Sequence, residues 1–402
     1  MKKHSISFYV NLIFIAGCIS VNCAGIKPQS ADGNASSGTI INKITNMKLS
    51  QEYTLQITER NSRLVKWTSG DASIISVDDN GKLSANKPGK AVIFAEFASN
   101  KEKNDSVEIE VELDPMYLFE KFHIEKTLRK EVTSFGPSPR KQFVNGSVSL
   151  YWTAPLNIET RFINVSTNQY TGKTATAAIL SAAEPLKKVR SGILRDEIKY
   201  ITYHDTENNN PGADANMHAD YLSGSYNASF RARSWHYTVD SARVIQHIPD
   251  NEITWQGDAY ESYAKSIGIE TCVNYGSDLY TVWQRTGKLI AALLVKYDLD
   301  AGAVRQHYDW SKKNCPQTLR MNNLYQTAID LVKAEYLVKK YLSGYEITFE
   351  SLNTEFVNHY GKVIKAPPKN TKVGYVVSIK NSAAGYSESM VFYSTVAGIS
   401  AD

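Results

Sequence analysis

The sequence predicts a multidomain chain: an α/β domain, a mixed central sheet flanked by helices, with all-β modules on either side. Three observations predict it. Residues 44–113 alternate apolar and polar side chains in short runs broken by turn signals, as strands do. Between Val189 and Tyr341, strand-like apolar runs are interleaved with apolar residues at helical spacing. From Tyr345 to Asp402 the β pattern returns. A length of 402 residues exceeds one ordinary domain, and 42% hydrophobic with 21% charged residues is the composition of a folded globular chain. A formal net charge of +4 over that length gives no basis for a nucleic-acid partner.

The first residues read as an export signal. Lys2 and Lys3 precede an apolar run from Ile6 to Ala16, which is too short to span a bilayer comfortably. The run ends in Ile15-Ala16-Gly17-Cys18, which resembles a bacterial lipobox. That resemblance makes residues 1–17 a lipoprotein signal peptide and Cys18 the lipidated first residue of the mature chain. The alternative is an ordinary signal cleaved near Ala24, and export follows from both. The expected location is the outer face of the cell membrane, held by the lipid, or the medium if the lipobox is not used. Residues 18–43 include a small, polar stretch and read as a tether. With only Cys272 and Cys315 left in the folded part, a disulfide scaffold is not expected.

Residues 44–113 carry Tyr53-Thr-Leu-Gln-Ile57, turns at Asp79-Asn-Gly81 and Pro88-Gly89, and the run Ala91-Val-Ile-Phe-Ala95. Together with Trp67-Thr-Ser they resemble a bacterial Ig-like group 2 module, a spacer or adhesion unit. Residues 114–188 read as a connecting region or an extension of the next domain. A helix is expected over Tyr117–Lys130, a strand at Ser147–Trp152 and a helix near Ala175–Leu186. In the domain at 189–341, strands are expected at Ile198–Tyr203, Ser234–Val239 and Ser266–Glu270, with helices at Ala213–Ser225 and Leu279–Tyr297. The tail, 345–402, resembles a small Ig-like β domain.

Chemistry concentrates in the middle domain. His307 and Cys315 are separated by seven residues in a polar loop, a spacing from which both reach one metal ion. Zinc accepts imidazole nitrogen and thiolate sulfur together, and its catalytic sites use three protein ligands. His204 follows directly on an apolar strand, where a side chain at the sheet rim points into a cleft.

Six blocks occur in order: Tyr203-His-Asp-Thr206, Ser234-Trp-His-Tyr-Thr-Val-Asp240, Gln246-His-Ile-Pro249, Trp255-Gln-Gly-Asp258, Ser266-Ile-Gly-Ile-Glu270 and Gln306-His-Tyr-Asp-Trp-Ser-Lys-Lys-Asn-Cys-Pro316. Together they resemble the N-acetylmuramoyl-L-alanine amidases of the type 2 zinc amidase and peptidoglycan-recognition superfamily. The resemblance implies zinc held by His204, His307 and Cys315, Glu270 as general base and acid, and Lys313 opposite the developing oxyanion. Some relatives use a tyrosine where this chain has Trp235, and the glutamate is retained here. Trp235 and His236 are expected to bind substrate, and Asp205 and Thr206 to orient His204. Peptidoglycan is the implied partner, besides the membrane reached through the lipid, and the chain is expected to act as a monomer. Two other readings use the same chain: a wall-binding recognition protein, whose members typically lack the cysteine ligand, and an adhesin built on the β modules. A zinc peptidase would share the chemistry.

Overall fold

The computed structural model describes residues 39–58, 65–97, 104–122, 125–224 and 233–399. Cys18 and the export segment lie outside them.

The N-terminal body is all β. Its strands are β1 (Asn46–Lys48), β2 (Glu52–Thr54), β3 (Val65–Ser69), β4 (Ile75–Val77), β5 (Lys82–Ala85), β6 (Gly89–Phe97) and β7 (Asp105–Glu112). One sheet runs β1-β7-β6-β3 and the other β2-β5-β4. Alternate residues of β6 and β7, among them Ile93, Phe97 and Ile109, turn inward onto Trp67 and Leu83. The turn between β4 and β5 needs its glycine. Gly81 has a positive φ of 77°, and a Cβ there would stand 2.9 Å from the Trp67 ring.

Residues after Glu112 form α1 (Pro115–Phe122), β8 (Arg129–Ser134), β9 (Arg140–Asn145), β10 (Ile158–Thr160) and α2 (Ala177–Ala183). The helix is shorter than the expected Tyr117–Lys130. Beyond it, Leu128 N–H donates to Thr395 O and Thr395 N–H to Lys126 O, so backbone pairing with the tail replaces a further helical turn. Ser147–Trp152, expected as a strand, makes only an isolated bridge from Ser147 to Lys362. β10 is an edge strand of the central sheet, which makes this part of the region an extension of the middle domain.

The middle domain adds β11 (Tyr200–Asp205), α3 (Ala215–Gly224), β12 (Tyr237–Val239), β13 (Val244–Gln246), α4 (Tyr260–Lys265), β14 (Ser266–Thr271), α5 (Leu279–Lys296), β15 (Val304–Gln306), α6 (His307–Ser311), α7 (Gln317–Met321) and α8 (Tyr325–Tyr341). The sheet order is β10-β13-β12-β14-β11-β15, parallel except for the β12–β13 pair. Central strands buried on both faces read as continuous apolar runs, as β11 and β14 do. Helices α5 and α8 pack closely because Gly287 removes a side chain at the crossing: a Cβ there would lie 3.1 Å from the Leu331 backbone.

The tail forms β16 (Glu346–Ser351), β17 (Thr371–Asn381) and β18 (Tyr386–Val396), one antiparallel sheet. It differs from the separate Ig-like domain expected. Its apolar face, with Tyr375 and Val377, is closed by Met116, Phe119, Leu128 and Val148 from the region after β7, so the tail shares a core with that region.

Glu335 of α8 is 3% exposed and accepts a hydrogen bond from Trp152 N–H at 2.6 Å. Burial pushes its carboxyl up to about 8, against the pull of Lys288. A raised carboxyl pKa means the folded state prefers the protonated form. Stability is therefore greatest below the ordinary carboxyl pKa and declines as pH rises from there to about 8, by on the order of a few kcal/mol. Glu335→Gln keeps an acceptor for Trp152 and removes that decline. Its Tm at about pH 9 should exceed the parent's by roughly 5–10 °C, with near equality at about pH 5. A difference equal at both values would place the effect in packing.

Candidate active site

Three neighbouring parallel strands deliver chemistry to one edge of the sheet. In parallel sheets, sites form beyond the carboxyl ends of the strands. His204 is next to last on β11, Glu270 is next to last on β14, and His307 opens α6 directly after β15. His204 and Glu270 are register partners and leave the same face of the sheet. Cys315 comes from the loop between α6 and α7. Donor atoms of His204, His307 and Cys315 all lie within 4.8 Å of one another, and all three residues are buried. Cys315 Sγ is 3.7 Å from His204 Nδ1, and the two imidazole rings stand edge to face with centroids 4.9 Å apart.

Each imidazole is held by its far nitrogen. His204 Nε2 lies 2.5 Å from Gln256 Oε1. The Gln256 amide is fixed because its Nε2 donates to Ser262 O at 2.9 Å and Ser266 O at 3.1 Å. That assigns the proton to His204 Nε2 and leaves Nδ1 with its lone pair toward the sulfur. Gly268 of β14 makes this possible, since a Cβ there would stand 2.8 Å from Gln256 Cδ. His307 Nε2 lies 3.2 Å from Asp258 Oδ2. Asp205 and Thr206 were expected to orient His204; Gln256 does so. Asp205 instead ties down the cysteine loop, its Oδ2 accepting from Thr318 N–H at 2.6 Å.

The electrostatics fit a cation. Burial, helped by His307, pushes His204 down to about 3, so its ring is the neutral, ligating form. Burial pushes the Cys315 thiol well up, with Asp205 and Glu270 adding to the effect. A divalent ion reverses that by stabilising the thiolate. Two imidazoles and one sulfur converging in this way, each imidazole with one nitrogen held by a polar side chain, are the donor set zinc takes.

Beside them lies a cleft of about 290 Å³ lined by Glu270, Lys313, Glu207, Arg233, Trp235 and residues of α3. Burial raises the Glu270 carboxyl well above the carboxylate range, and its Oε2 is buried with no hydrogen-bond partner among the described residues. Lys313 Nζ is 2.9 Å from Glu207 Oε1. Burial would lower this ammonium, but Glu207, Cys315 and Glu270 outweigh it and hold it above its ordinary value. Lys312, its neighbour, is exposed and outside the cleft.

Trp235 lines the cleft as expected of a substrate residue, its Nε1 donating to Thr238 Oγ1 at 2.7 Å. His236 does not. It is 0% exposed, its Nδ1 accepts from Gly268 N–H at 3.0 Å, and its Nε2 lies 3.0 Å from Glu252 O. The next residue along an extended chain turns to the opposite side, which buries His236 where Trp235 reaches the cleft. Sequence reasoning missed Gln256, Asp258, Glu207 and Arg233. The first two stand in the block Trp255-Gln-Gly-Asp258, whose presence was legible without its purpose.

The segment containing this constellation matches a family model. Residues 194–318 match the model described as N-acetylmuramoyl-L-alanine amidase. This segment is similar to that family. The match spans His204, Glu270, His307, Lys313 and Cys315. N-acetylmuramoyl-L-alanine amidase XlyA of Bacillus subtilis (strain 168) is 39% identical over 122 residues, 30% of this chain and 40% of that one. The amidase CwlH of the same organism is 37% identical over 123 residues, 30% of this chain and 48% of that one. The chain thus spans less than half the length of these two relatives. The solved catalytic domain of XlyA aligns with 28% identity and a TM-score of 0.35, over 44% of this chain and 99% of that one.

Gln256→Ala should leave the fold intact and weaken zinc binding by about 10–100-fold in a competitive chelator titration. Unchanged affinity would show that the hydrogen bond to His204 does not orient the ligand.

Proposed function

We propose that the chain is a zinc-dependent N-acetylmuramoyl-L-alanine amidase, which hydrolyses the amide between N-acetylmuramic acid and L-alanine in peptidoglycan. The observation that carries this is one juxtaposition. His204, His307 and Cys315 converge within 4.8 Å, at the sheet edge where Glu270 and Lys313 line the adjoining cleft. His204, His307 and Cys315 would hold the zinc, which when bound polarises a carbonyl oxygen and makes hydroxide available near neutral pH.

The chain's own groups do the rest. Glu270, whose carboxyl is biased by burial toward protonation, accepts a proton from the attacking water and returns it to the leaving nitrogen. The C–N bond breaks, the muramyl carbonyl carbon gains the hydroxyl, and L-alanine leaves with a free amine. Lys313 presents a positive charge to the oxygen on which negative charge develops, and Glu207 keeps that ammonium in place. Trp235 and α3 wall the cleft and limit water around the reacting groups.

We further infer that the lipobox at Cys18 anchors the exported chain to the membrane. The two-sheet N-terminal body then serves as an Ig-like spacer between that anchor and the amidase domain. The reading of a wall-binding protein without activity is disfavoured by Cys315, which such proteins typically lack and which here lies beside His204 and His307.

Purified protein on intact peptidoglycan should release stem peptides with L-alanine amino termini, seen by mass spectrometry. Release should stop with chelator and return with zinc. Binding to the wall without released peptide at full zinc occupancy would reject the enzyme reading. Cys315→Ser should lose tight zinc binding, whereas Glu270→Gln should keep zinc and lose about 10²–10⁴ in kcat. Zinc loss in the Glu270 variant would contradict its assignment as the proton carrier.

A further inference from the structure

A second cleft, of about 550 Å³, lies where the region after β9 meets the N-terminal part of α5 and the loop before β17. Its lining shares no residue with that of the active-site cleft. Tyr151, Trp152 and Tyr360 supply aromatic rings, and Asp278, Gln284 and Lys362 supply polar groups. At Tyr151 it meets a further groove of about 570 Å³ that runs along α5 and α8.

Tyr360 is the decisive residue. Its side chain is 75% exposed, yet the turn that carries it is tightly built. Asn358 Oδ1 accepts from Tyr360 N–H at 3.0 Å, and Gly361 N–H donates to Asn358 O at 2.9 Å. Gly361 has a φ of +78°, and a Cβ there would stand 2.6 Å from Val148. Val148 N–H in turn donates to Gly361 O at 2.9 Å. A large ring is thus carried into water on a turn whose backbone is fixed.

The polar groups of the cleft are equally fixed. Lys362 Nζ bonds Asp278 and Thr281, and Gln284, 3% exposed, donates to Ser149 O. Lys288 Nζ holds the Trp152 and Ala154 carbonyls at 2.7 and 2.8 Å. Rings on a rigid frame beside fixed amide, carboxylate and ammonium groups suit a ligand with apolar CH faces and a rim of hydroxyl and amide groups. That is the chemistry of a pyranose chain. Ring faces cover its CH groups, and preorganised polar groups bind its periphery without further ordering.

We infer that this cleft is a second, non-catalytic binding site for a saccharide chain, with Tyr360 as its stacking platform. Its identification with the glycan strand of peptidoglycan rests on the proposed amidase activity; the saccharide site itself rests on its own residues. Holding the glycan there keeps the enzyme on an insoluble substrate between cleavages, by raising the effective concentration of stem peptides at the active site.

The test uses the full chain and a β-1,4-linked N-acetylglucosamine hexamer, which has no stem peptide to occupy the active site, with calorimetry as the readout. The parent should bind it saturably, and Glu270→Gln should bind it equally well. Tyr360→Ala should weaken Kd by about tenfold or more, while Tyr360→Phe, which keeps the ring, should retain it. Absence of saturable binding would overturn the proposal, as would an unchanged Kd in Tyr360→Ala or loss of binding in Glu270→Gln. Tyr360→Ala should also slow peptide release from intact wall and leave turnover of a soluble muramyl peptide unchanged. Equal slowing on both substrates would count against a separate glycan site. Hexamer binding by a parent that releases no peptide would uphold the saccharide site and reject the amidase reading instead.

Discussion

The structure depends on the parallel pairing of β11 with β14 on one side and β15 on the other. Parallel neighbours end at the same edge, so residues distant in the chain arrive together without any loop having to reach. His204 and Glu270 are register partners, and His307 follows β15 immediately. A slip of one residue between β11 and β14 would send Glu270 to the opposite face from His204. Register there is protected by burial on both faces, with Ile201, Tyr203, Ile267 and Ile269 all closed to solvent. His204 and Glu270 are thus as firmly placed as the central sheet, whereas Cys315 and Lys313 come from a loop.

That loop carries its own restraints. Asp205 binds Thr318 N–H, Tyr308 N–H donates to Cys315 O, and Arg320 reaches Asn314 and Gln306. The site gathers groups that burial alone makes uncomfortable. Neutral His204, an elevated Cys315 thiol, an elevated Glu270 and Asp205, pushed by burial up to about 6, share one low-dielectric region. Among the described residues, Lys313 and Arg233 bring positive charge to it. A divalent cation would ease such a gathering of buried donors, and His204, His307 and Cys315 are the described groups that could hold one.

The sequence made the strands and ligands legible for local reasons. Ile198–Tyr203 and Ser266–Glu270 are apolar runs, and the residue after an apolar strand is a natural site position, which is how His204 stood out; Glu270 was legible only through the resemblance of its block. Helix α5 announced itself through the spacing of Leu279, Val282, Trp283 and Leu289. What stayed hidden depends on long-range packing. Gln256 reaches His204 across Gly268, and nothing local in either block declares that meeting. His236 looked like a cleft residue because it adjoins Trp235, and only the sheet decides which of two neighbours faces the ligand. The tail looked like a separate module because its alternation is strand-like. Its missing second layer is supplied by Met116, Phe119, Leu128 and Val148, more than 200 residues earlier in the chain.

The same long-range packing sets how the bodies are joined. Buried apolar residues of the N-terminal sheets and of helices α5 and α8 form one contiguous cluster. Polar ties lead out of the N-terminal sheets as well: to the α1 segment, Lys48 pairs with Asp114 at 2.6 Å and Lys121 Nζ donates to Ser50 O, and from α8, Tyr341 OH donates to Asn86 O. A β body on a free linker would sample all orientations relative to the middle domain; one sharing a core with α1 and α8 does not. The tail is fixed too, because its sheet closes on α1, the helix that directly follows the N-terminal sheets. Helix α1 therefore contacts both flanking bodies and α8 of the amidase domain. The cleft at Glu270 and the cleft at Tyr360 are thus joined through packed apolar cores rather than through a linker.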